Sequence, residues 1–178
     1  NNLCERLGVI MNKKTLAKLE YDKIIELLMG HASSFSGKER CRKLKPRTGI
    51  EEIKAEQEQT AAAFSRIIKK GKPSFEFCQP VSDSLRRLEI AATLGSGELL
   101  RICRLLECAG RIKAYGRRDN ADEAEDCLDI FFSRLEPASL LSSEIRRCIL
   151  DEDEISDDAS ANLKHIRRSI GQMNDKVH

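Results

Sequence analysis

Hydrophobic residues recur every three or four positions along most of the chain, which is the spacing of amphipathic α-helices. The pattern predicts helices near residues 16–28, 50–70, 81–92, 99–112, 124–135 and 141–149, with a short basic helix ending near residue 43. The segment 99–112 has two apolar stripes, so we expect that helix to be buried on two sides. The fold class predicted from this pattern is all-α, a multi-helix core bundle followed by a long C-terminal helix.

The final predicted helix, residues 160–178, carries a single apolar line that we name the C-terminal seam. Its members are Leu163, Ile166, Ile170, Met173 and Val177, separated by three, four, three and four residues. This spacing is typical of a helix that faces one partner, as in a coiled coil. Asp157, Asp158 and Ser160 mark its start, because acidic and hydroxyl side chains stabilise a helix N-terminus. No Gly, Asn or Pro closes the pattern, which fits a helix that continues in a longer protein or one that docks on its own domain.

The sequence predicts three parts. Residues 1–10 are expected to be a leader outside the fold, residues 11–159 a helical core domain, and residues 160–178 the truncated start of a longer helix. Residues 119–122 form a polar break within the core. Residues 151–158 are too charged to pack and are expected to form a short acidic turn or hairpin before the final helix. Thr48 and Glu51 have the spacing of a capping box that opens the helix over 50–70.

Composition supports a helical fold and limits the possible partners. Charged residues make up 34% of the chain, hydrophobic residues 40% and aromatic residues 4%. The net charge of +2 means that nucleic-acid binding would require a local basic patch. The seven cysteines include no C-x-x-C pair and are expected to be reduced thiols, which indicates a cytoplasmic protein. No run of 18 apolar residues exists, so we predict no membrane contact.

Patterns that would carry catalysis or bind a cofactor are weak. The chain has no G-x-x-x-x-G-K-[ST] phosphate loop, and the Gly-Ser-Gly sequence at 95–97 is better interpreted as a helix N-cap. His31, His165 and His178 have no metal-ligand spacing, and residues 151–158 lack the ligand order of a calcium loop. We therefore predict that this chain is not an enzyme and has no catalytic, cofactor or metal site of its own.

Basic side chains give the sequence its candidate contacts with a phosphate backbone. Lys164, Arg167 and Arg168 are neighbours on the final helix, mostly away from the C-terminal seam. Two further clusters precede the 50–70 helix and follow the 99–112 helix; they are Lys43, Lys45 and Arg47, and Arg117 and Arg118. None is interleaved with aromatic residues for base stacking, so a solvated face is the alternative interpretation of each cluster.

Two stretches of the sequence resemble a known family. The first is Leu-Glu-Tyr-Asp-Lys-Ile-Ile-Glu-Leu-Leu at 19–28, followed by Gly-Lys-Glu at 37–39 and Leu-Lys-Pro at 44–46. The second covers residues 149–168, including the acidic turn and the start of the final helix. Together they resemble the type-two branch of the bacterial MutS family, over residues 11–178. That branch usually has Gly within the acidic turn, where this chain has Glu154.

The resemblance implies a longer parent protein of which this chain would be the N-terminal core and lever base. The parent would also contain the rest of the lever, a clamp at the lever tip, a dimerising ABC-type ATPase that uses ATP and magnesium, and a C-terminal Smr endonuclease domain. It would act on branched or mismatched DNA to suppress recombination, or on collided ribosomes through contacts with rRNA. Residues 160–178 would then be the outgoing lever helix, with the C-terminal seam packed on the returning one.

Two further interpretations come from other classes of protein. The chain could be a nucleic-acid-binding helical module that acts through Lys164, Arg167 and Arg168. It could also be a self-associating helical module that uses the exposed C-terminal seam.

Overall fold

The computed structural model describes residues 13–75, 78–118 and 125–177, with the side chain of Val177 outside the described part. The predicted leader at 1–10 and the predicted polar break at 119–122 both lie outside these ranges. The described residues form nine α-helices, a two-stranded hairpin and one 3₁₀ turn. The all-α prediction is confirmed.

The helices alternate between long and short elements along the chain. In order they are α1 (Lys13–Lys18), α2 (Tyr21–His31), α3 (Phe35–Arg42), α4 (Ile50–Lys70), α5 (Ser82–Glu89), α6 (Ser96–Gly116), α7 (Asp129–Ser133) and α8 (Ser139–Cys148). The hairpin strands β1 (Ile149–Asp151) and β2 (Glu154–Ile155), the 3₁₀ turn Asp157–Ala159 and helix α9 (Ala161–Val177) follow. Among the described residues, no helix is both long enough and apolar enough to cross a membrane.

The chain divides into two compact units. Of the described residues, one unit takes 13–75, 112–118 and 125–135, and the other takes 78–111 and 136–177. Helix α6 contributes to both, because the boundary falls at residue 112. The predicted division into a core domain at 11–159 and a lever helix from 160 remains a prediction.

The first unit is held by polar contacts more than by a deep core. No residue of α1 to α4 is buried. The Tyr115 hydroxyl donates to the Gly71 carbonyl at 3.0 Å, and the Lys113 ammonium donates to the Leu135 carbonyl at 2.7 Å. These contacts tie the last turn of α6 to the end of α4 and to the segment after α7.

The second unit has the more deeply buried apolar centre. Leu100 and Cys103 of α6 pack with Ile145 of α8 and Ile149 of β1. The Cys103 thiol donates to the Ser142 carbonyl at 3.4 Å, so this cysteine behaves as a small hydrophobe with a satisfied donor. Burial of Cys103 and Ile112, on opposite faces of α6, agrees with the expectation that the helix over 99–112 is buried on two sides.

Local capping differs from the predictions at one helix and agrees at another. The capping box of Thr48 and Glu51 is wrong, because α4 begins at Ile50 and its N-cap is Gly49 without a side-chain bond. Thr48 therefore precedes the position from which a hydroxyl reaches the first free N–H groups. At α6, by contrast, the Gly95 N–H donates to Glu98 Oε2 at 3.0 Å, so residues 95–97 do form a helix N-terminus.

Candidate functional site

The base of α9 is where the functional predictions of the sequence converge. The C-terminal seam is exposed there: Ile166 is 47% exposed, Ile170 53% and Met173 68%, while Leu163 is half-buried. About half or more of the surface of Ile166, Ile170 and Met173 is therefore open to solvent among the residues that the structure describes. An apolar line of this kind on a helix is a surface on which a partner can pack.

Two serines fix the start of α9. The Ser160 hydroxyl accepts a hydrogen bond from the Leu163 N–H at 3.1 Å, and this is the N-cap that the sequence predicts. One turn earlier, the Ser156 hydroxyl accepts from the Asp158 N–H at 3.1 Å and opens the 3₁₀ turn. The helix therefore starts at a fixed place relative to the turn before it.

The acidic stretch forms a hairpin that is joined to α8. β1 pairs with β2 in antiparallel register, and the Ser156 N–H donates to the Cys148 carbonyl at 2.9 Å. Glu154, where the resemblance implies a glycine, begins β2 and does not have a positive φ. A glycine is thus not required at this position for the hairpin to close.

Two of the three predicted phosphate contacts are already paired with the acidic turn. Lys164 Nζ lies 2.8 Å from Asp158 Oδ1, and the Arg167 guanidinium contacts Asp157 and donates to the Ile155 carbonyl at 2.8 Å. The hydrogen bond between Lys164 and Asp158 raises the pKa of Lys164 and lowers the pKa of Asp158. Arg168 is exposed and forms no ion pair with any residue that the structure describes. Their proposed role in phosphate binding stays a prediction.

Arg147 of α8 is a residue that the sequence patterns do not single out. Its guanidinium donates to the Asp158 carbonyl and pairs with Glu144, and the Glu144 hydrogen bond raises the pKa of Arg147. With the serine caps and the two ion pairs of α9, this side chain connects α8, the 3₁₀ turn and α9. The base of α9 is therefore linked to the rest of its unit by several polar contacts.

The first unit contains a second cluster that sequence reasoning missed. Arg66 of α4 has a side chain only 11% exposed and pairs with Asp126 and Asp129, with its guanidinium carbon 4.9 Å from the centre of the Phe132 ring. The Arg66 hydrogen bond is the main reason that the pKa of Asp126 is lowered. Arg118 also contacts Asp129 at 3.3 Å, so the two carboxylates face two guanidinium groups. The cluster is therefore suited to holding α4 against α7 and not to acid–base chemistry.

Metal binding has no support among residues 13–75, 78–118 and 125–177. Within them, no group of three or more His, Cys, Asp or Glu side chains is placed to hold a metal ion.

Comparison with known proteins gives one consistent result. The chain is 48% identical to an endonuclease MutS2 of Agathobacter rectalis over 168 residues, and 46% identical to one of Lachnoclostridium phytofermentans over 173 residues. An endonuclease MutS2 of Lachnospira eligens is 39% identical over 168 residues. Each match covers 94% of this chain. The resemblance to the type-two branch of the MutS family is confirmed.

The MutS2-like chain spans about a fifth of the length of these curated relatives, because each match covers only 21 or 22% of the relative. No protein-family model matches the chain. The MutS2 similarity thus applies to a segment, and activities of the longer relatives do not transfer to it directly.

Proposed function

We propose that this chain is the N-terminal core and lever-base segment of a MutS2-like ATPase and endonuclease, and that its role is mechanical. It would relay the nucleotide state of the ATPase to the clamp by rigid-body movement of packed helices. The proposal is supported by the similarity of this chain to a segment of about one fifth of each MutS2 relative, and by the geometry at the base of α9.

The observation that carries the proposal is an exposed apolar seam on a helix with an anchored base. Each buried seam residue would contribute about 1.5–3 kcal/mol to packing against another helix. The contacts of Ser160, Lys164, Arg167 and Arg147 hold the base of α9 to the hairpin and to α8. A displacement of α9 would therefore move the hairpin and α8 with it, because these contacts hold the three elements together.

The remaining assignments follow from this role. The chain itself would not be an enzyme, and ATP and magnesium would bind in the ATPase part of the parent. Its partners would be the rest of the lever, the clamp and the ATPase of a homodimeric cytoplasmic parent. That parent would act on branched or mismatched DNA to suppress recombination, on collided ribosomes, or on both.

The two rival interpretations receive less support. Lys164 and Arg167 already pair with Asp158 and Asp157, which reduces their capacity to neutralise phosphates. Self-association through the C-terminal seam would give a concentration-dependent dimer of the 178-residue chain. Sedimentation velocity separates that outcome from docking within a parent protein.

A chimera tests the mechanical role. Residues 11–178 replace the matching segment of the A. rectalis MutS2, and nuclease activity is measured with and without Ile166→Asp and Ile170→Asp. We expect the double variant to lose most of the activity of the chimera, while the same changes leave the melting temperature of the isolated chain unaltered. A matched control adds the same charge to the same helix off the seam, with His165→Asp and Gln172→Asp. Equal activity of the seam variant and the unsubstituted chimera would reject the proposal.

A further inference from the structure

Helix α3 and the loop after it form a strongly basic exposed surface in the first unit. Residues 38–47 contain six basic side chains and one acidic side chain, a net charge of +5 in a chain whose total is +2. The basic residues are Lys38, Arg40, Arg42, Lys43, Lys45 and Arg47, and all six are exposed. Such a local excess of charge is the patch that polyanion binding would need in a nearly neutral chain.

Four of these six cations are not engaged by carboxylates. Arg42 pairs with Glu39, and Arg47 pairs with Glu56. By contrast, no ion pair with a described residue involves the other four, which we name the α3 basic surface. They are Lys38, Arg40, Lys43 and Lys45. This distinguishes them from Lys164 and Arg167 on α9, whose positive charges are already paired with aspartates of the acidic turn.

Hydrogen bonds and ion pairs hold the loop that carries part of this surface. The Tyr21 hydroxyl of α2 donates to the Leu44 carbonyl at 3.3 Å, and the Leu44 N–H donates to the Cys41 carbonyl at 3.1 Å. On the other side, Arg47 Nε lies 3.1 Å from Glu56 Oε1 of α4. Lys45 therefore sits between two anchored positions, and a ligand would order little additional backbone.

We propose that the α3 basic surface contacts the phosphate backbone of a nucleic acid. The inference rests on the proposed function for its choice of a nucleic acid over other polyanions, since the chain would belong to a protein that acts on DNA or on ribosomal RNA. The contact would be independent of sequence, because three of the four cations are lysines, which meet phosphates as point charges. It would position the parent on its substrate.

Salt-dependent binding of the 178-residue chain tests this proposal. Fluorescence anisotropy measures binding to a 30-base-pair DNA duplex and to an RNA duplex of the same sequence between 25 and 200 mM salt. The triple variant Lys38→Gln, Lys43→Gln, Lys45→Gln should flatten the plot of log affinity against log salt by about 2 to 3, since each lost contact removes roughly 0.9. The charge-preserving triple Lys→Arg variant should bind like the unsubstituted chain. A preference for DNA or RNA would identify the source of the phosphates.

A matched variant and a second polyanion make the test decisive. Lys164→Gln, Arg167→Gln and Arg168→Gln remove the same charge from α9 and should change the slope by less than about 1. The proposal is overturned if both triple variants flatten the slope equally, if neither does, or if the chain binds phosphatidylglycerol vesicles and no nucleic acid. None of these outcomes concerns the C-terminal seam, so the mechanical proposal would stand or fall separately on the chimera.

Discussion

The Arg66 guanidinium donates two parallel hydrogen bonds to the Asp126 carboxylate, one from Nε at 2.7 Å and one from Nη2 at 2.8 Å. The two residues are 60 positions apart in the sequence. This bidentate geometry is the most directional form of ion pair, and the Arg66 side chain is largely removed from water. The pair therefore fixes the C-terminal part of α4 to the segment that precedes α7.

Removing Arg66 should destabilise the first unit. Arg66→Ala leaves the partly buried Asp126 carboxylate without its cation and leaves Asp129 with Arg118 alone, and we expect a loss of about 3 kcal/mol in the free energy of unfolding. Arg47→Ala is the control, because it breaks a pair with Glu56 in which both side chains are about half exposed and should cost less than about 1 kcal/mol. Urea denaturation followed by circular dichroism measures both. Similar losses for the two variants would contradict the special role of Arg66.

The same pair should make stability depend on pH in the acidic range. Arg66 lowers the pKa of Asp126 below its ordinary value of 3.8, so the unfolded chain binds more protons than the folded chain in that range. The contribution of this pair to the free energy of unfolding is complete above the ordinary pKa. It is lost as the pH falls through the lowered pKa of the folded state. In urea unfolding at pH 5, 4 and 3, the free energy of unfolding should fall less with decreasing pH for Asp126→Asn than for the unsubstituted chain. Parallel pH profiles for the two proteins would show that Asp126 does not contribute.

Gly116 should not tolerate a side chain. A Cβ atom at this position would overlap with the Phe132 side chain, which stacks beside Tyr115 at a centroid distance of 6.1 Å. Gly116→Ala should therefore reduce stability by about 1–3 kcal/mol. Gly171→Ala on α9 is the control, since it meets no atom within 4 Å and should stabilise the helix by up to about 1 kcal/mol. Thermal melts of the two variants should shift in opposite directions.

The stabilisation that the Ser160 N-cap gives to the first turn of α9 should be measurable by itself. Ser160→Ala removes the acceptor for the Leu163 N–H and should weaken the first turn by about 1 kcal/mol. Amide hydrogen exchange should then accelerate at residues 161–164. The same substitution inside the helix, Ser169→Ala, should leave that turn unchanged, and faster exchange in both variants would point to a general loss of α9.

Sequence reasoning succeeded where the determining contacts are local. The start of α9 follows from Ser160 and the acids before it, and the hairpin follows from a stretch that is too charged to pack. Lys164 and Arg167 were recognised as a basic group, but their pairing with Asp158 and Asp157 depends on how the turn folds back. The capping box is wrong because the helix starts one residue later than a Thr48 cap requires, which makes Gly49 the N-cap.

The Arg66 cluster was missed because its partners are distant in the sequence. Its local signals are a charged residue beside Phe64 and Ile67 in an apolar helix and the i, i+3 spacing of Asp126 and Asp129. Neither signal identifies a partner. Arg147 is similar, since its contact with the Asp158 carbonyl depends on the position of the 3₁₀ turn and leaves no side-chain pattern in the sequence.

Packing of the C-terminal seam of α9 against another part of a MutS2-like protein is tested most directly by maleimide labelling at Ile170→Cys. The labelling rate is measured by peptide mass spectrometry in the isolated chain and in the A. rectalis chimera. Gln172→Cys, off the seam, reports that α9 is reachable in both. We expect fast labelling at position 170 in the isolated chain and at least tenfold slower labelling in the chimera, with position 172 labelled equally in both. Equal labelling of position 170 in the two proteins would contradict this packing.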